Sequence, residues 1–209
     1  MSSIQKAYNS WASQYDTNHN RTRDLEGEAL RTILSTINFE RVLEIGCGTG
    51  KNTFWLQEKA AHVTAVDFSE EMLAKAKQKV TSAKVQFTQA DITKDWSFCE
   101  GKYNLITFSL VLEHIENLGH IFKQVAEALV AGGYVYIGEL HPFKQYTGSK
   151  ARFDTDEGRE ILECYTHNIS DFTQTAKQQG FIVADINEYF DNNDRTQIPR
   201  ILTILLLKV

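Results

Sequence analysis

Apolar positions change their period along the chain, and the changes mark its elements. Leu30, Ile33, Leu34 and Ile37 recur at i, i+3, i+4 and i+7, the stripe of an amphipathic helix. Arg41-Val-Leu-Glu-Ile45 then reads as a short buried strand ending in glycines. A helical segment at about 51–60 leads to a second strand at 62–66. Ser69 suits the cap of the next helix, with Glu70 and Glu71 at its positive end and Leu73, Ala76 and Val80 on its apolar face. Residues 84–88 and 103–109 read as strands three and four. Ile121, Phe122, Val125 and Leu129 form a further helix stripe, stopped by Gly132-Gly133, and 134–139 is strand five. A capped helix over 170–179 ends at Gly180, and 181–190 and 201–208 are strands six and seven around a polar turn, Asp191-Asn-Asn-Asp194.

Five strands that alternate with helices predict an α/β fold with a parallel sheet. The direct connection between the last two predicts a hairpin, so one of them runs against the rest. Residues 142–168 are too long for an ordinary connection, which takes about 4–6 residues, and read as a substrate-facing insertion. At about 150 residues per domain the 209 residues amount to about 1.4 domains. With two prolines and no low-complexity linker, a single domain over 1–209 is expected, with an N-terminal helical segment at about 1–37 and the insertion at about 142–168.

Composition narrows the partners. The chain has 22 Lys and Arg against 27 Asp and Glu, a net charge of −5, which disfavours coating a phosphate backbone, so no nucleic acid is expected. The longest apolar run, Ile201 to Leu207 interrupted by Thr203, has strand length, and no membrane partner is expected. The first residues lack an apolar signal core. Cys47, Cys99 and Cys164 are odd in number and widely spaced, which suggests neither a disulfide framework nor a zinc site and points to a cytoplasmic location. The six histidines are scattered, and no metal is expected.

The strongest local signal is Glu44-Ile-Gly46-Cys-Gly48-Thr-Gly50 at the carboxyl end of strand one, where open α/β sheets bind ligands. A dinucleotide fingerprint needs a third glycine where Lys51 stands, and Glu44 would face a pyrophosphate. A phosphate-binding P-loop needs one more residue, and Asn52 replaces its magnesium-binding hydroxyl. The segment resembles motif I of the class I S-adenosylmethionine-dependent methyltransferases, [D/E]-x-G-x-G-x-G, without a mismatch. Two acids in sequence context strengthen the likeness: Asp67 at the end of strand two and Asp91 after strand three.

The resemblance implies a Rossmann-like doubly wound seven-stranded sheet in order 3-2-1-4-5-7-6 with strand seven antiparallel, a feature the hairpin also reaches from the residues alone. It implies S-adenosyl-L-methionine as cofactor and S-adenosyl-L-homocysteine as product. Glu44, Gly46, Cys47, Gly48 and Gly50 would surround the methionine end. Asp67 would accept both ribose hydroxyls, with Phe68 and Met72 nearby. Asp91 and Ile92 would hold the adenine, and Ser109 and Leu110 would complete the cleft. Tyr8-Asn-Ser-Trp11-Ala-Ser-Gln-Tyr15-Asp16 is similar to family members that begin Y-[DN]-x-x-A-x-x-Y-D. Tyr8, Trp11 and Tyr15 then form either a lid over the cofactor or a helix packed on the core.

The acceptor side is less defined. Strand four runs into Leu112-Glu113-His114-Ile115, similar to the L-x-H-I of the small-molecule branch, which includes ubiquinone- and biotin-pathway-type domains. His114 is either a general base or a cleft-lining residue. Glu139 and His141 end strand five at the ligand face and are candidates for catalysis, Glu139 equally for structure. Phe143, Tyr146, Lys150 and Arg152 of the insertion, with His114 and His141, are candidates to contact a small-molecule acceptor. The expected activity is in-line transfer of a methyl group to that acceptor. The alternative is a non-catalytic S-adenosylmethionine-binding module.

Overall fold

The computed structural model describes residues 3–150, 152–155, 158–162 and 164–209, with the backbone alone for 152–155 and 158–161. Its centre is one seven-stranded sheet. The strands are β1 (Arg41–Ile45), β2 (His62–Asp67), β3 (Val85–Gln89), β4 (Tyr103–Ser109), β5 (Leu129–Leu140), then, after the hairpin of β6 (Arg152–Thr155) and β7 (Gly158–Ile161), β8 (Phe181–Tyr189) and β9 (Ile201–Lys208). The large sheet has the order β3-β2-β1-β4-β5-β9-β8. The pairs among β1 to β5 are parallel, whereas β9 runs antiparallel to both β5 and β8. This is the expected order 3-2-1-4-5-7-6 with the last strand reversed.

Strand alternation sends successive side chains to opposite layers. Leu43, Ile45, Ile106 and Phe108 pack with α5 (Leu118–Ala128) and α7 (Ile169–Gln178) on one face. Val42, Val63, Ala65 and Leu105 pack with α2 (Arg21–Leu34), α3 (Lys51–Lys59) and α4 (Glu70–Lys79) on the other. Ser69 caps α4 as read, its Oγ accepting from Met72 N at 3.1 Å. The predicted stop at Gly132-Gly133 is displaced. Helix α5 ends at Ala128, because Leu129 already pairs with Tyr103 and the chain crosses an irregular register into Tyr134↔Leu105.

The N-terminal segment forms α1 (Ser3–Trp11), which lies along α4. Gln5 Nε2 donates to Phe68 O at 2.9 Å, and Ser69 Oγ donates to Asn9 Oδ1 at 2.6 Å. The helical face read through Tyr15 stops at Trp11. Tyr15 follows in turns held by Arg23, whose guanidinium donates to Tyr15 O and to Asn18 O. The stretch read as an insertion contains α6 (Pro142–Tyr146) and the β6–β7 hairpin. Among the described residues no helix is long and apolar enough to cross a membrane.

Candidate functional site

Beyond the carboxyl ends of β1, β2, β3 and β4 lies a cavity of about 260 Å³, roofed by Ile4, Gln5 and Tyr8 of α1 and by Tyr15. Its floor is Ile45, Gly46 and Gly48 after β1. Asp67, Phe68, Ser69 and Met72 form one wall, Asp91 and Ile92 a second, and Ser109, Leu110, Val111 and His114 a third. The structure therefore gathers most of the cofactor candidates around one space.

The glycine turn is built from the sheet outward. Gly46 N and Cys47 N both donate to Val66 O, at 2.8 and 3.0 Å. Asp67 then clamps the loop from the next strand, its Oδ2 accepting from Gly48 N and its Oδ1 from Ser69 N, both at 2.8 Å. Burial raises the Asp67 carboxyl above its ordinary value, and the N–H donors pull it back down. A side chain on Gly48 would meet nothing within 4 Å, so the turn leaves open space on its cavity side.

Four candidates stand elsewhere. Glu44 lies on the face of β1 opposite Ile45, and its Oε2 accepts from Thr53 Oγ1 of α3 at 2.5 Å. Cys47 packs in the layer with Val42 and Leu56, and Gly50 starts α3 against Ala76. Glu44, Cys47 and Gly50 do not line the cavity, because period-two alternation carries Ile45, not Glu44, to it. Trp11 lines a neighbouring cavity instead.

The acid and the two histidines read as candidates for catalysis also separate. Glu139 is buried, and its Oε1 accepts from Val111 N and Leu112 N at 2.9 and 2.8 Å. It lines neither cavity. Instead it pins the turn that carries Val111 and His114 to the wall. His141 is fully buried and lines neither cavity. Its Nδ1 accepts from Phe143 N at 3.2 Å, which leaves Nε2–H to donate to Glu188 Oε1 at 3.1 Å. Desolvation lowers its pKa despite Glu188. His114 does line the cavity, with its Nε2 2.9 Å from the Tyr8 hydroxyl.

The second cavity, of about 300 Å³, adjoins the first, sharing Tyr8, Tyr15 and Leu110 as walls. Leu110 takes a φ of 57°, a strained value for a side chain of its kind, and is held there by its N–H to Gly138 O at 2.8 Å. The remaining walls come from His19 to Thr22, Glu113, Leu140, Ser149, Lys150 and Arg200. Of the acceptor candidates, Lys150 lines this cavity. Phe143 and Tyr146 are exposed and line neither, Tyr146 donating to Asn168 Oδ1 at 2.6 Å. The Arg152 side chain lies outside the described residues. Glu113 belongs to the stretch read as the acceptor side, whereas Arg21 and Arg200 were not read from the sequence. Arg21, Glu113 and Arg200 reach the cavity from α2, the turn after β4 and the start of β9, and no spacing links them.

The charge of the first cavity tests which ligand fits. No lysine or arginine is among its lining residues, while Asp67 and Asp91 are. A phosphate-bearing dinucleotide would meet two carboxylates and no fixed cation. A cationic, phosphate-free nucleoside such as S-adenosylmethionine meets acids for its hydroxyls and amino group and backbone N–H groups at the glycine turn, so the residues fit that cofactor.

Three carboxyls behind the site are buried and none is in a salt bridge among the described residues, though Lys51 acts on Glu26 electrostatically and opposes its rise. Burial is the leading cause that lifts Glu44 and Glu139 to about 8 and Glu26 to about 7, from ordinary values near 4.5. The folded chain then holds protons that the unfolded chain has released. Stability from these groups is fully present below about pH 4.5 and is lost as pH rises through 7 to 8. The ligand-free chain is expected to unfold at a lower temperature at pH 8.5 than at pH 6, by on the order of 1 kcal/mol per group per pH unit. Glu139→Gln keeps an oxygen for Val111 N and Leu112 N and is expected to flatten that slope. Thermal unfolding across pH checks both, and an unfolding midpoint that climbs from pH 6 to 8.5 would contradict the buried-acid account.

Residues 42–133 match the family model described as a methyltransferase domain. The chain is 30% identical over 135 residues to a malonyl-[acyl-carrier protein] O-methyltransferase of Bacillus anthracis, a match covering 62% of this chain and 49% of the relative. It is 33% identical over 156 residues, 67% of this chain, to a polyketide synthase–nonribosomal peptide synthetase of Pyricularia grisea, of which it spans 4%. The chain thus spans about half or less of these two relatives. A provisionally assigned S-adenosylmethionine dependent methyltransferase from Listeria monocytogenes superposes with a TM-score of 0.74 at 25% identity, covering 89% of this chain and 99% of that one. The DhpI–SAH complex shares the fold with a TM-score of 0.78 at 23% identity, over 98% and 94% of the two chains.

Proposed function

Because the chain carries a class I S-adenosylmethionine-dependent methyltransferase domain, we propose that it transfers the cofactor's methyl group to a small-molecule acceptor. The observation that carries this reading is the pair of adjoining cavities: an acidic, cation-free one ringed by Asp67 and Asp91, and a second one that meets it at Tyr8, Tyr15 and Leu110. When bound, S-adenosylmethionine supplies a sulfonium methyl open to in-line displacement, with a thioether as leaving group.

The chain's own residues orient and enclose. Asp67 has lone pairs left for the ribose hydroxyls after taking Gly48 N and Ser69 N. Asp91 and Ile92 face the adenine end. Tyr8 and Tyr15 of the N-terminal segment close the shared wall as a lid, and their faces suit a sulfonium cation. Burial raises both phenols, so they stay neutral at physiological pH. Orientation of this kind contributes about 7–11 kcal/mol to a barrier. Where the acceptor atom bears a proton, the candidate to receive it is His114, which lines the first cavity with its Nε2 2.9 Å from the hydroxyl of Tyr8, a residue of the shared wall. The likeness to a relative named as an O-methyltransferase supports an oxygen nucleophile.

The test is incubation with methyl-labelled S-adenosylmethionine and a small-metabolite extract. Label is expected in a product below about 1 kDa, an order-of-magnitude bound set by the size of drug-like ligand pockets. Label that stays in the cofactor although S-adenosylhomocysteine binds would favour a non-catalytic binding module.

A further inference from the structure

The two cavities carry opposite charge. The first holds acids and no lysine or arginine. The second has Arg21, Lys150 and Arg200 in its wall, against one carboxyl, Glu113. Arg200 is committed: its Nε and Nη2 donate to the two Asp191 oxygens at 2.5 and 2.6 Å, and its Nη1 donates to Thr22 Oγ1 at 3.0 Å. Arg21 and Lys150 are exposed at the mouth, and Arg21 acts electrostatically on Asp191, the carboxylate that holds Arg200. The same wall contains Asn20 and Arg21 at the positive end of the fourteen-residue helix α2, whose first N–H groups lack helical acceptors. A second, independent feature points to a ligand. Glu113 is buried in this wall, and its Oε2 has no hydrogen-bond partner. Burial raises that carboxyl above its ordinary value, with His114, Gln145 and Cys164 opposing the rise.

Resting on the methyltransferase reading, we propose that the second cavity takes a small anionic acceptor, with its carboxylate or phosphoryl group against Arg21, Lys150 and the start of α2. Planar Arg21 forks onto two oxygens of such a group, whereas Lys150 adds a point charge. The unpartnered oxygen of Glu113 then pairs with an O–H or N–H on the same molecule. The arrangement also separates two like-charged demands. The cofactor's ribose and adenine lie against the acids of the first cavity, and the acceptor's anion lies toward the cations of the second, so an anionic acceptor is disfavoured in the cofactor's place.

The experiment uses the full chain saturated with S-adenosylhomocysteine. Inorganic phosphate and lactate are titrated separately by thermal shift at constant ionic strength, with chloride as the matched control. At least one anion is expected to raise the unfolding midpoint where chloride does not. Arg21→Gln and Lys150→Gln are each expected to weaken that anion by about ten- to hundredfold, the scale of a lost charge-assisted hydrogen bond, while S-adenosylhomocysteine affinity stays within twofold. Phosphate alone marks a phosphoryl acceptor and lactate alone a carboxylate. If both anions behave as chloride does, the proposal is overturned. It is also overturned if Arg21→Gln weakens S-adenosylhomocysteine itself, because the cations would then serve the cofactor's own carboxylate. A wild-type chain that fails to bind S-adenosylhomocysteine removes the methyltransferase reading first, and the two failures are thereby told apart.

Discussion

Asp67→Ala is expected to abolish cofactor binding while the sheet stays folded. The carboxylate sits at the last position of β2, paired in register with Gln89, so the strand does not depend on its side chain. Its oxygens do two things at once. Each takes one backbone N–H, from Gly48 and Ser69, and so fixes the glycine turn against the start of α4. Each also keeps a lone pair toward the cavity, where two ribose hydroxyls would donate. Hydrogen bonds to a charged group contribute about 1.5–3 kcal/mol each. Losing two costs about 3–6 kcal/mol, or roughly 10²- to 10⁴-fold in affinity. Calorimetric titration with S-adenosylhomocysteine reads this loss, and circular dichroism checks the fold. Asp67→Asn keeps the shape but turns one acceptor into a donor facing an N–H, so it is expected to fall between wild type and Asp67→Ala. Binding by Asp67→Ala within threefold of wild type would remove Asp67 from the site and with it the orientation of the cofactor.

The same residues show which parts of this site can be read from a sequence. The alternation of strands and helices and the reversed last strand were legible from local facts, namely strand periodicity, helix stripes and a connection between β8 and β9 too short to cross over, whereas the order of the strands in the sheet came from the resemblance to the family. Asp67 and Asp91 were legible because one ends a strand and the other follows one in the next loop, where the topology itself sets the ligand face. Glu44 was misplaced by the same kind of reading. The motif marks an acid beside the turn, but whether that acid faces the ligand depends on which layer β1 turns it to, and Thr53 of α3 shows that it faces away. Glu139 and His141 also end a strand. There burial decides against contact, since one is used by the Val111 and Leu112 N–H groups and the other by Phe143 N and Glu188. Apart from Lys150, the second cavity was illegible for a different reason. Arg21, Glu113, Lys150 and Arg200 come from four separate segments, and only tertiary packing makes them neighbours. A cofactor site built on consecutive strand ends leaves a periodic signature, whereas an acceptor site built from loops does not.

Gly46→Ala is expected to damage both stability and cofactor binding, and a second substitution is expected to return part of each. Gly46 has a φ of 73°, and a Cβ there would lie 2.2 Å from Val111 Cγ2. Two costs follow. A non-glycine residue at positive φ costs about 1–2 kcal/mol, and overpacking of this kind about 1–3 kcal/mol. Val111 cannot retreat freely, because its N–H is held by Glu139 Oε1 and the same turn carries His114. The strain therefore spreads to the wall of the cavity, and affinity for S-adenosylhomocysteine is expected to fall at least about tenfold, as about 1.4 kcal/mol of lost contact requires. Val111→Ala in the same chain removes the Cγ2 atom and leaves only the backbone cost, so the double variant is expected to recover about half of the lost stability. Gly48→Ala separates the two effects. Its Cβ meets open space, so it pays the backbone cost alone, but the residue lines the cavity, and binding is expected to suffer more than folding. Thermal unfolding and calorimetric titration of the four chains form a double-mutant cycle with one internal control. Additive effects of Gly46→Ala and Val111→Ala would show that the two residues do not meet, and the tight approach of the glycine turn to the β4 turn would then not be what shapes the cofactor cavity.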